Sequence, residues 1–304
     1  MSITKRNPWL VEEKGAAMNK QSRFLKNLFI TVMTVVLIFS SSVPVTAQDQ
    51  AGDEKIWEQF KAWIMTNPEA ASLQAYKDKL TKDGLSQEEI KRHTDVIIRI
   101  FKEHPEKGVE ITYDRIFSKP LTGDMEKDGF NANPSDFMME SVKGLKPGTA
   151  LDVGAGQGRN AVWLAQQGWQ VTGIDISGAG LAAANANAKK AGVKIKTVKT
   201  FYQDFDFGKE KWDLILMILS WAPVSDPDFV ARLNASLRPG GVVVFEHVLI
   251  TEKQSFPPVV HGLPPNALLK HFSGFHIQKY EEGVWQGDWG GPPAELVRMI
   301  ARKK

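Results

Sequence analysis

The chain has 304 residues, 42% hydrophobic and 24% charged, which is the composition of a globular protein with room for one large domain and an accessory segment. Its formal charge of +3 sits in the leader: setting aside the six basic and two acidic residues of the first 47 leaves 32 basic and 33 acidic ones, so no basic footprint for nucleic acid remains. Cysteine is absent, which excludes disulfides, thiolate zinc sites, a cysteine nucleophile and a lipid-modified leader cysteine.

At the amino terminus Lys20, Arg23 and Lys26 precede an apolar run from Leu28 to Phe39, and Ser40 to Ser42 separate that run from Val45, Thr46 and Ala47. A basic flank, a short apolar stretch and small residues before a cleavage point predict a secretory signal peptide cut after Ala47. The run has 12 residues and reaches 18 when counted through Val45. That approaches the roughly 20 needed to span a bilayer, so an uncleaved membrane anchor is the alternative. Met18 opens a leader of more usual length, and residues 1–17 read as an upstream extension. Either leader predicts an exported domain, periplasmic or extracellular, or one that meets the membrane only through this segment.

From Asp53 to about His104 the apolar spacing is helical. Ile56, Phe60, Trp63 and Ile64 share one face, and Ile90, Val96, Ile97, Ile100 and Phe101 recur in a later helix. Asn67-Pro68 ends the first helix, and Ser86 with Glu89 three residues on forms a capping box for the later one. Residues 48–117 are therefore expected to form a helical accessory segment. A connector rich in Gly, Pro, Asp and Asn, 118–134, leads to a helix at Ser135 to Lys143 that opens the domain 135–304.

After Gly148 short apolar strands alternate with helices. Strands are predicted at Ala150 to Val153, Gln170 to Ile174, Lys194 to Val198, Leu214 to Leu219, Val242 to Glu246, Phe275 to Tyr280 and Leu296 to Ala301. Helices are predicted at Arg159 to Gln167, Ala179 to Ala191, Pro227 to Leu237 and Pro265 to His271. This alternation predicts an α/β fold, a Rossmann-like seven-stranded and mostly parallel sheet with helices on both faces, whose ligands bind beyond the carboxyl ends of the strands.

The first strand, Ala150 to Val153, runs straight into Gly154-Ala155-Gly156-Gln157-Gly158 before Arg159 opens a helix. Glycines there allow a tight turn and close backbone approach, and the free amides of the helix start face a ligand. The second strand is followed by Asp175, placed to accept hydrogen bonds from both hydroxyls of a ribose. The spacing is GxGxG where a dinucleotide fingerprint is GxGxxG, and Arg159 puts bulk where a pyrophosphate needs close helix approach, which disfavours NAD. Asp152 would repel a pyrophosphate and suits an ammonium group, directly or through water.

The segment LDVGAGQGRNAVWLAQQGWQVTGIDIS, together with Ser236-Leu237-Arg238-Pro239-Gly240-Gly241, resembles class I S-adenosylmethionine-dependent methyltransferases, particularly the small-molecule type that includes the tellurite-resistance methyltransferases. The resemblance covers roughly Asn131 to Lys304. It implies S-adenosylmethionine as cofactor, with Asp152, Gly154, Gly156 and Gly158 at its methionine end and Asp175 with Ile176 at ribose and adenine. It also implies Asp204 near the adenine amino group with Phe205 as a stacking neighbour, and Leu219-Ser220-Trp221 around the methyl sulfonium.

Taken one at a time, Asp175 is equally a cap for the following helix and Asp204 an acidic surface turn. Glu246-His247 closes the fifth strand, where His247 could serve as a base or stand at a solvated strand end. His261, His271 and His276 have no metal-ligand spacing, so no metal is expected. Trp57, Trp63, Trp163, Trp169 and Trp212 fall at packing positions, while Trp221, Trp285 and Trp289 fall in loops. Tyr113, Phe130 and Asn133 are candidate cleft lining, and the 281–295 loop, with Trp285, Asp288 and Trp289, is a candidate lid. The expected reaction is methyl transfer to a small-molecule acceptor, an in-line displacement that rests on positioning and needs no assigned catalytic acid or base. A nicotinamide-dependent oxidoreductase and a catalytically silent exported binding protein on the same scaffold are the rival readings.

Overall fold

The computed structural model describes residues 47–67, 72–119, 131–250, 263–287 and 293–304. The leader, Phe130, His261, Asp288 and Trp289 lie outside the described residues, as does the middle of the connector. Among the described residues no helix is long and apolar enough to cross a membrane.

Four helices come first: α1 (Ala47–Thr66), α2 (Leu73–Lys82), α3 (Gln87–Glu103) and α4 (Pro105–Phe117). The anticipated stripe of α1 is buried at Ile56, Phe60 and Ile64 against Ile90, Ile97 and Ile100 of α3, with Trp63 packed on the same cluster. Ser86 and Glu89 make the expected reciprocal capping box, which satisfies amides that a helix start leaves open. Pro105 begins α4, where its missing N–H costs no hydrogen bond.

A short helix α5 (Asp136–Ser141), capped by Ser135, leads into the sheet domain. There β1 (Thr149–Val153), α6 (Arg159–Gln166), β2 (Gln170–Asp175), α7 (Gly178–Lys190), β3 (Lys196–Lys199) and β4 (Trp212–Ile218) come first. They are followed by α8 (Pro227–Ser236), β5 (Leu237–Val248), α9 (Ala267–His271), β6 (Phe275–Trp285) and β7 (Ala294–Lys303). The seven strands lie in the order β3-β2-β1-β4-β5-β7-β6. Pairing is parallel from β3 through β5, and β7 runs antiparallel between β5 and β6.

Strand alternation builds two cores. Ile215 and Met217 of β4 join Phe229 and Leu233 of α8 on one face, while Leu214, Leu216 and Ile218 join Phe137, Met138 and Leu164 on the other. Two sequence boundaries need correction. β5 begins at Leu237, directly after α8, and continues past Glu246 to Val248; β6 continues to Trp285, so Glu281–Trp285 are strand and not loop. Charged residues concealed the second extension, because an edge strand tolerates them: Glu281 lies opposite Arg298 on β7.

Candidate functional site

The loop 154–158 leaves the carboxyl end of β1 and is pinned to β2, with the amides of Gly154 and Ala155 both donating to the Ile174 carbonyl at 2.9 and 3.0 Å. Gly154, Gly156 and Gly158 all have positive φ. A Cβ on Gly158 would lie 2.7 Å from the Ala184 Cβ of α7, so glycine is needed there for two helices to meet.

Asp152 and Asp175 face this loop from two adjacent strands. Asp152 is 2% exposed, and its Oδ2 has no hydrogen-bond partner. Burial pushes its carboxyl up to about 7, opposed by Arg159 and reinforced by the neighbouring charge of Asp175. Asp175 accepts from the Gly156 amide through Oδ2 and from the Ser177 amide through Oδ1, each at 2.8 Å. Burial raises its pKa too, against the lowering effect of those two amides. The helix cap proper is Ser177, whose hydroxyl accepts from the Gly180 amide. Asp175 therefore joins the glycine loop to the start of α7, and Ile176 beside it is half-buried.

The accessory segment contributes directly to this site. Asp114 of α4 is 6% exposed, and its Oδ1 accepts from the Ser177 hydroxyl at 2.6 Å and from the Ala179 amide at 3.0 Å. Phe117, at the end of α4, lies over the loop, since a Cβ on Gly156 would be 2.9 Å from its ring. Gln157 donates back to the Phe117 carbonyl at 3.3 Å. Asp114 and Phe117 were missed from sequence because no local pattern ties α4 to a loop some 40 residues later.

After β4, Leu219 and Trp221 both take φ of +55°, a conformation that costs side-chain-bearing residues about 1–3 kcal/mol each. Between them Ser220 is buried with its hydroxyl unpartnered, and its Cβ fills the space beside Gly154. The Trp221 indole donates to the Tyr113 hydroxyl at 2.6 Å, and burial raises the pKa of that phenol. His247 is 2% exposed and sits edge-on to Trp221 with ring centroids 4.5 Å apart. The solvated strand end anticipated for Glu246-His247 is thus replaced by a buried pair of residues, because β5 runs on and Glu246 is bound by Arg298 Nε at 2.5 Å.

Trp285, read from sequence as part of a loop, is on β6 with the Arg298 guanidinium 4.3 Å from its ring centroid. Asp204 is exposed in a turn closed by its amide on the Phe201 carbonyl. Phe205 packs edge-on to Phe207 at 5.2 Å against the core. The structure thus draws Asp152, the three glycines and Asp175 together on β1, β2 and their loop. It groups Tyr113, Trp221 and His247 around the Trp221 indole, with Tyr113 stacked on Phe117 at 5.7 Å, while Asp204 stays exposed in its own turn. No group of three or more metal-ligating side chains occurs among the described residues.

Residues 150–241 match the methyltransferase domain family. The chain is 27% identical over 176 residues to hemagglutinin 1 of Eikenella corrodens, covering 54% of this chain and 57% of that protein. It is 30% identical over 115 residues to the ubiquinone biosynthesis O-methyltransferase of Serratia proteamaculans (strain 568), covering 37% of this chain and 48% of that protein. The chain thus spans about half the length of these curated relatives. A solved structure from work on the conversion of a disulfide bond into a thioacetal group during echinomycin biosynthesis shares the fold. Its TM-score is 0.52 at 19% identity, over 66% of this chain and 92% of that one.

The match over residues 150–241, with the shared fold, supports the class I S-adenosylmethionine-dependent methyltransferase family for this domain. Its residues fit the family's cofactor, S-adenosylmethionine. A buried carboxylate oxygen without a partner, at Asp152, suits an ammonium, and Asp175, oriented by two amides, retains lone pairs for ribose hydroxyls.

Proposed function

We propose that this chain transfers a methyl group from S-adenosylmethionine to a small-molecule acceptor. The observation that carries the reading is the pair of carboxylates across the glycine loop, one buried with an unpartnered oxygen and one half-buried and fixed by two amides. Bound there, the cofactor supplies an electrophilic methyl group on a sulfonium, already activated for displacement. Asp152 would hold the methionine ammonium and Asp175 the ribose, with Ile176 beside the adenosine. Asp204 and Phe205 are the assignments for the adenine end.

The chain's own contribution to the chemistry is to hold the acceptor in line and exclude water. Tyr113, Trp221 and His247 form an aromatic wall for a compact acceptor, with Trp285 beside Trp221 in the same apolar cluster; Trp289 is a further candidate for acceptor contact from the sequence alone. The near balance of 32 basic and 33 acidic residues after the leader supports a small acceptor over a polynucleotide, whose binding depends on phosphate neutralisation. Calorimetry of the chain with S-adenosylmethionine, S-adenosylhomocysteine and NAD tests the reading. Binding of the first two and not the third is expected, and NAD binding in their place overturns it.

The leader favours export or anchoring, which amino-terminal sequencing of the fractionated protein tests; an intact soluble cytosolic chain would defeat both. Export would also separate the domain from the cytosolic supply of cofactor, and this favours a second reading, a binding protein without turnover. Methyl transfer from labelled cofactor to an acceptor pool distinguishes the two.

A further inference from the structure

We propose that Asp114, which lies on α4 outside the matched methyltransferase domain, is a positioning residue of the cofactor site that sets the carboxylate presented to the ribose. The inference rests on the cofactor reading above and adds a residue that the glycine motif does not contain.

The geometry is a relay of four groups. Asp114 Oδ1 accepts from both the Ser177 hydroxyl and the Ala179 amide, at 2.6 and 3.0 Å. Ser177 accepts from the Gly180 amide, so its side chain is fixed on both sides. The Ser177 amide then holds Asp175 Oδ1, while Asp175 Oδ2 holds the Gly156 amide. Asp114 thereby determines where the chain turns between β2 and α7, and that turn determines where the Asp175 carboxylate points.

Other contacts keep Asp114 in place. Lys61 Nζ of α1 lies 3.8 Å from its Oδ2. One turn earlier on α4, Glu110 receives both Lys61 and Lys199, the latter at the end of β3, at 2.6 and 2.7 Å. Helix–helix packing alone does not need a carboxylate at this position. A buried acid that accepts from a hydroxyl and a helix-start amide is costly unless those bonds are made, so its presence ties α4 to this one arrangement of α7. The accessory segment is then a working part of the nucleoside site.

The test uses the full chain with Asp114→Ala and Asp114→Asn, titrated with S-adenosylhomocysteine and with its 2′,3′-dideoxy analogue. Asp114→Ala should weaken S-adenosylhomocysteine by about tenfold, the usual result of misplacing a hydrogen-bonding acceptor, and the dideoxy analogue by less than about twofold. Asp114→Asn keeps an acceptor oxygen and should stay within about threefold of wild type for both ligands. Equal losses for the two ligands would mark a general packing defect and overturn the proposal, as would an unaltered affinity in the alanine variant.

A ligand-free measurement separates this inference from the cofactor reading. Amide hydrogen exchange should accelerate at Gly156, Ser177 and Ala179 in Asp114→Ala more than in the α1–α3 core, and no such difference would refute the relay. Failure of the wild-type chain to bind S-adenosylhomocysteine, with the exchange pattern as expected, would instead remove the cofactor reading and with it the ribose role of Asp114.

Discussion

The β1–β2 and β4–β5 parts of the candidate site are held in different ways. At the β1–β2 end, backbone amides grip Asp175 over short stretches of chain, Gly156 from 19 residues away and Ser177 from two, and Asp114 adds a long-range side-chain tie to Ser177. At the β4–β5 end, side chain meets side chain across the fold, with Trp221 on Tyr113, 108 residues apart, and Arg298 on Glu246, 52 apart. Backbone donors persist through side-chain substitution, whereas paired side chains must change together. A scaffold of this kind can keep its cofactor while its acceptor wall is rebuilt, which is one way in which a shared fold hosts different reactions.

The largest effect is expected where the backbone itself is crowded. Gly158→Val puts a branched side chain at φ +78°, with a Cβ 2.7 Å from that of Ala184, and should cost about 3 kcal/mol or more through overpacking and strain. Gly84→Ala is the control: its φ is +84° with nothing within 4 Å, so about 1–2 kcal/mol is expected. Thermal unfolding of both variants decides the matter, and equal losses would mean that contact with α7 is unimportant.

Next comes the side-chain end. Arg298→Met removes the cation from a Glu246 carboxylate whose side chain is 4% exposed, and should cost about 3 kcal/mol of stability. If the two ends are independent, calorimetry of the folded variant should find S-adenosylhomocysteine affinity within about twofold of wild type, because no cofactor hydrogen bond is lost. A parallel loss of affinity would break the comparison.

The same division decided what could be read from sequence. Asp152, Gly154, Gly156, Gly158 and Asp175 fall within one strand–loop–helix–strand unit, so their grouping was legible from order and spacing alone. The seven strands were legible too, since each alternates or runs apolar. Asp114 and Arg298 were not, because their partners are brought to them by packing between distant elements. Glu281–Trp285 was misread as loop for a local reason: Glu281 and Glu282 are acceptable on an edge strand, where one side meets solvent, yet they resemble turn composition. The resemblance singled out Leu219-Ser220-Trp221 after the fourth strand, but the strain at Leu219 and Trp221 was not legible, since neither is a residue that favours positive φ.

At the backbone-held end, Asp175→Ala should weaken S-adenosylhomocysteine by about 1.5–3 kcal/mol, roughly tenfold to a hundredfold, the range for hydrogen bonds to a charged acceptor. The loss includes the Gly156 and Ser177 amides, which both forfeit their acceptor. Calorimetry measures it directly. An unchanged affinity in a folded variant would remove Asp175 from the site and leave it as a loop brace.

The smallest expected effect, and the sharpest electrostatic probe of the β1–β2 end, is the pH dependence that Asp152 confers. Its carboxyl is raised from the ordinary value of 3.8 to about 7, chiefly by burial, with Arg159 and the Ala161 amide opposing and Asp175 reinforcing the shift. Because the folded pKa is the higher one, the folded state binds more protons than the unfolded state between about pH 4 and 7. Stability from this group is therefore full below its unfolded pKa and is lost as pH rises through about 7. Ligand binding runs the other way. An ammonium beside Asp152 favours the ionised form, so S-adenosylhomocysteine affinity should rise between pH 6 and 8 by at most about tenfold, the ratio of ionised fractions at those two pH values for a group that titrates near 7. Asp152→Asn carries no proton to release and should abolish the rise, while its ligand-free stability should decline less steeply over pH 4 to 7 than that of wild type. Asp175 is also raised, but two amides lower it against its own burial, and it remains in the variant as an internal control. A wild-type affinity that is flat across pH 6 to 8, or a slope that survives in Asp152→Asn, would show that the buried carboxylate on β1 is not the group that meets the ammonium.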